Sequence, residues 1–95
     1  MARKSRLESL EILGKTVKIE YKPLLKEGLF GDFDGDSKTI RIDSGLKGTA
    51  ASEALFHEMI HAALCISGQS ETLTSEQEEG IVVAIENALA EYFTL

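Results

Sequence analysis

Two histidines and a glutamate stand within five residues, His57-Glu58-Met59-Ile60-His61, and the chain has no other histidine. At about 3.6 residues per helical turn, positions four apart point almost the same way, so both imidazoles can reach one ion. Glu58, one step round the helix, is too far round to be a third ligand in the same plane, yet close enough to hydrogen-bond a water at that ion. The chemistry open to such a set is metal-assisted hydrolysis, with the carboxylate moving the proton.

A packing account competes with this one, because a pattern that fixes only three positions arises by accident and a histidine on a core helix is commonly a packing residue. Three features weigh against it. Both histidines of the chain fall at this spacing. Leu55, Phe56, Met59, Ile60, Ala62, Ala63, Leu64 and Ile66 make the segment apolar nearly all round, which marks a buried helix. An uncompensated glutamate and two histidines on such a helix cost several kcal/mol unless something satisfies them. Zinc is the expected cofactor, since it takes neutral imidazole nitrogens and holds a water beside the carboxylate.

A catalytic zinc holds three side chains and keeps one position for water. With no histidine left and Cys65 read as core packing, a carboxylate must complete the set, and the acidic start of the last helix offers Glu76, Glu78 and Glu79. If Val82, Ile85, Leu89 and Tyr92 form the inward stripe, periodicity favours Glu78, one turn before Val82, and puts Glu79 at the shoulder. First-turn acids also complement the helix dipole without any ligand role.

HEMIH followed by a helix reading Glu, Gly, Ile, Val, Val, Ala, Ile resembles the zincin metallopeptidases of the gluzincin kind in their smallest, phage- and prophage-encoded form. It is also similar to the repressor-cleaving metallopeptidases of mobile elements. The resemblance covers roughly residues 10–93 and includes a hairpin like "GDSKTIRID". It implies a short sheet, an active-site helix and a second helix whose glutamate is the third ligand, with small or apolar residues three and six positions on. Counted from Glu79 those are Val82 and Ile85, so the resemblance favours His57, His61 and Glu79 as ligands and Glu58 as the catalytic base. Four positions past Glu79, where larger gluzincins often carry an acid, stands Val83, and there is no third histidine to steady an oxyanion. The implied activity is zinc-dependent peptide-bond hydrolysis on a peptide or protein substrate, which would pair with an exposed strand such as residues 29–33. The alternative is a zinc-stabilised binding module of phage origin without catalysis.

The elements that must position these residues are legible in outline. "LEILGKTVKIEYKP" alternates on both sides of Gly14-Lys15 and predicts a hairpin of residues 10–13 and 16–21, closed by Pro23. Residues 29–33 and 39–43 flank the turn-rich "DGDSK" and predict a second hairpin. The expected fold class is α+β, a small antiparallel sheet of two hairpins followed by two helices, zincin-like. The first helix runs from Thr49 to a stop at Gly68, and the second from Ser75 onward, with Gly80 weakening its first turn.

Ninety-five residues predict one domain spanning 1–95, with residues 1–6 frayed. Ten Lys and Arg against 16 Asp and Glu, net charge -6, argue against nucleic acid. No signal-like or membrane-length apolar run is present, and a single cysteine suits a reducing compartment, so a cytoplasmic protein is expected, in the host cytoplasm if phage-encoded. Asp32, Asp34, Asp36 and Asp43 fall at calcium-loop positions 1, 3, 5 and 12, but Ser37 replaces the turn glycine and strands flank the loop, so no calcium site is expected. Tyr21 and Tyr92 read as core-edge residues.

Overall fold

A computed structural model describes residues 6–92 of the chain. Strand β1 (Ser9–Ile12) turns back into β2 (Lys15–Lys22), with Ile12 paired to Lys15. The turn is Leu13-Gly14, one residue earlier than expected, and both residues have positive φ, 51° and 79°. That is the pairing a two-residue turn needs to follow the strand twist, and glycine is why the chain tolerates it. After a 3-10 turn (Leu25–Glu27), β3 (Gly31–Asp34) and β4 (Thr39–Asp43) form the second hairpin.

The strand order is β1-β2-β4-β3, and β2 runs parallel to β4, so the sheet is mixed, not the antiparallel sheet expected from two hairpins. Local alternation identifies each hairpin but not how the two join. The burial of β4 matches that place: Thr39, Ile40, Ile42 and Asp43 are all buried, a pattern for a central strand flanked on both sides. The acidic β3, with Asp32 and Asp34, takes the edge. Buried Asp43 fixes the crossover, as its Oδ1 accepts from the Leu24 and Leu25 N–H groups at 2.7 and 3.1 Å and its Oδ2 from Gly45 N–H at 3.1 Å.

Period-two alternation gives the sheet one apolar face: Val17 and Ile19 of β2 and Ile40 and Ile42 of β4 form the core with Leu55 and Ala62 of the following helix. On β3 and β4 the alternate residues Asp32 and Arg41 pair bidentately. Helix α1 (Gly48–Ile66) lies on the apolar face and ends before Gly68, whose φ of 88° confirms it as the left-handed stop. Helix α2 (Ser75–Leu89) starts one residue after Thr74, which accepts from Gln77 N–H while the Gln77 side chain accepts from Thr74 N–H.

Helix α2 packs against α1, with Val82 as its one buried residue. Leu89 and Tyr92, expected on the inward stripe, are 39% and 72% exposed. Tyr21 donates its hydroxyl to Leu7 C=O at 2.7 Å and carries Arg6 over its ring. Arg6 is therefore anchored, not frayed, and residues 1–5 lie outside the described residues. None of the helices described is long and apolar enough to cross a membrane.

Candidate metal centre

Helix α1 presents His57 and His61 side by side, ring centroids 5.0 Å apart, on the face turned toward α2. The N-terminal half of α2 brings Glu79 between them: its Oε1 lies 3.0 Å from His61 Nε2 and its Oε2 3.3 Å from His57 Nε2. His57, His61 and Glu79 are the one group of three or more metal-ligating side chains among the described residues that could hold a metal ion.

The far nitrogens of the two rings are held as well. His57 Nδ1 lies 2.9 Å from Glu86 Oε1 and His61 Nδ1 2.6 Å from Glu78 Oε2. An ionised carboxylate only accepts, so each Nδ1 donates to its own glutamate. The Nε2 atoms face Glu79 in the same way, and an ion bound there would take the place of their protons, leaving the Nδ1–H bonds to hold the rings. Ser70, on the 3-10 turn Gln69–Thr72 between the helices, donates its hydroxyl to Glu78 Oε1 at 2.7 Å and orients that carboxylate. Glu78, the ligand favoured by periodicity, thus faces the nitrogen of His61 that points away from the centre. Glu76 is exposed.

The electrostatics of this group suit a cation. Burial by itself pulls the His57 pKa down, but the Glu86 hydrogen bond and the charges of Glu58, Glu79 and Glu86 outweigh it and leave the pKa above the usual imidazole value. For Glu78 burial acts upward, and the hydrogen bonds from His61 and Ser70 reverse it, so that carboxyl sits below its usual range. Four carboxylates surround two imidazoles here, an excess of negative charge that a divalent ion would offset.

Glu58 is buried, 8% exposed, one step round α1 from His57. Burial raises its pKa against the lowering pull of His61 and His57, which is the direction that makes a carboxylate a better base. Gly31 of β3 passes directly over it: a Cβ at Gly31 would come within 3.4 Å of Glu58 Cγ and 2.8 Å of the Arg41 carbonyl oxygen. Glu58 and His57 line two recesses, one of about 330 Å³ beside His57 and one of about 530 Å³ beside His61.

Cys65 is exposed and lines the recess beside His61. It sits eight residues after His57, on the same helical face, so the side that carries the histidines also carries the thiol out of the core. The acidic hairpin holds none of the metal-ligating group: Asp32 is committed to Arg41, Asp34 accepts from Ser37 and Asp36, and Asp43 caps the crossover.

Sequence reasoning overlooked Glu86 and Ser70. Glu86 had a signal, because Glu79, Val82 and Glu86 recur at i, i+3 and i+7 on one face of α2. Ser70 had none, since its role depends on how the turn between the helices folds. Family models, curated proteins and solved structures return no match to this chain.

Proposed function

We propose that the protein is a zinc-dependent peptidase of the gluzincin kind, with His57, His61 and Glu79 as ligands. The observation that carries this reading is the shared carboxylate: the Nε2 atoms of both histidines face Glu79, while both Nδ1 atoms are tied to other carboxylates. Ligand atoms bound tetrahedrally about 2.0–2.1 Å from one zinc ion lie about 3.3 Å from one another; here Glu79 meets the two rings at 3.0 and 3.3 Å through its two oxygens, and one ligand atom from each of the three residues falls within 4.8 Å of the others, a set that a small closure would bring onto one ion. Only nitrogen and oxygen donors are present, three in number, which suits an open catalytic site.

Bound there, the ion supplies a Lewis acid that polarises a carbonyl and lowers the pKa of a water. Glu58 takes the proton of the attacking water and returns it to the leaving amine. Its burial raises its pKa, the direction that makes it a better base. Glu86 and Glu78 fix the ring orientations, replacing the acid that Val83 does not supply. The outer edge of β3 pairs with no other described strand, and an extended peptide added there would run past Glu58.

The test compares wild type with Glu58→Gln on a mixed peptide library. The variant should lose activity by about 10²- to 10⁴-fold while retaining one zinc per chain. Zinc-loaded wild type that cleaves no peptide would instead favour a zinc-stabilised binding module.

A further inference from the structure

The recess of about 330 Å³ beside His57 has a composition of its own. Ala50, Ala54, His57 and His61 recur at i, i+4, i+7 and i+11, so two small residues stand on the face of α1 that carries the metal ligands. Their size opens the space, and Leu46 adds a half-buried apolar wall. At the mouth stands Phe30, 64% exposed, a large aromatic left in solvent next to the site. No Lys or Arg lines this recess, whereas Glu53, Glu58 and Glu86 do. Glu86 is engaged by His57, and Glu58 is assigned to the proton. Glu53 is exposed and has neither a hydrogen bond nor an ion pair among the described residues, which leaves one uncommitted anion on the lining of a partly apolar recess.

We propose that this recess receives one substrate side chain and selects a long apolar stem with a cationic tip, lysine or arginine. The stem lies along Leu46, Ala50 and Ala54, and the tip sits between the Glu53 carboxylate and the Phe30 ring. The inference rests on the peptide-binding reading and names its substrate class. A neutral apolar side chain would fill the slot but leave Glu53 unanswered, and an acidic one would meet like charge.

Zinc-loaded full-length Glu58→Gln, which holds peptide without cutting it, is titrated with fluorescein-labelled alanine heptapeptides that carry lysine, norleucine or glutamate at the centre. Lysine and norleucine share a stem, so their difference reads the tip alone. Fluorescence anisotropy should give a Kd for the lysine peptide about threefold to tenfold below that of norleucine, with glutamate weakest and the spread narrowing as salt rises. Adding Glu53→Lys should reverse the order so that the glutamate peptide binds best. Equal binding of lysine and norleucine, or an order unchanged by Glu53→Lys, overturns the assignment of the recess and leaves the peptidase reading standing. Absence of binding by all three peptides overturns both.

Discussion

Glu78 and Glu79 are neighbours in sequence with different work, and the difference is a matter of which ring nitrogen each meets. Glu79 faces both Nε2 atoms, whereas Glu78 faces only His61 Nδ1 and is itself held by Ser70. On the proposed reading, loss of a ligand would remove a bond to the ion, while loss of an orienting carboxylate would let a ring turn. Glu79→Ala should therefore abolish stoichiometric zinc binding, and Glu78→Ala and Glu86→Ala should each weaken it by about 10- to 100-fold. Competition with a chromophoric chelator measures all three, and equal losses at positions 78 and 79 would refute the assignment.

At the scale of elements, the approach of β3 to α1 sets the distance between the sheet edge and the base. Gly31 lets β3 pair closely with β4 while passing over Glu58, because a Cβ there would lie 2.8 Å from the Arg41 carbonyl oxygen of β4, backbone that cannot swing aside, and 3.4 Å from Glu58 Cγ. Gly31→Ala should force the two strands apart and destabilise the fold by about 1–3 kcal/mol. Thermal denaturation by circular dichroism checks this, and an unchanged melting temperature would show that β3 has slack. The strands themselves were legible, since alternation marks Val17, Ile19 and Tyr21 as one face of β2 and Ile40 and Ile42 as one face of β4. Their order was not. Pairing of β2 with β4 depends on which strand buries both flanks, a property of the assembled sheet and not of either hairpin.

In the whole molecule, α2 is held by little apolar surface. Val82 is its one buried residue, and full burial of such a side chain stabilises by about 1.5–3 kcal/mol. Beside Val82, the partly buried positions of α2 are Glu78, Ile85 and Glu86, so carboxylate against imidazole is a substantial part of what joins the two helices. Metal ligands contributed by both helices would staple them and relieve the repulsion among these acids. Chelation should lower the melting temperature, and excess zinc should restore it, with the shift growing with free zinc concentration. Protein indifferent to chelator and zinc alike would have no ion at this interface.

Sequence by itself determined whatever depends on neighbours a few residues away. The spacing of His57 and His61 puts them on one face because helical geometry is local. Gly68 ends α1, and Thr74 with Gln77 starts α2, for reasons contained within one turn. Tertiary structure decided what depends on the rotation of one element against another. Whether Glu78 or Glu79 meets the Nε2 atoms turns on a single step of about 100° about α2, and the burial of Val82 as α2 packs against α1 fixes that step. The same docking brings Glu86 to His57, and packing of α1 on the mixed sheet places Gly31 over Glu58, contacts that no local periodicity encodes.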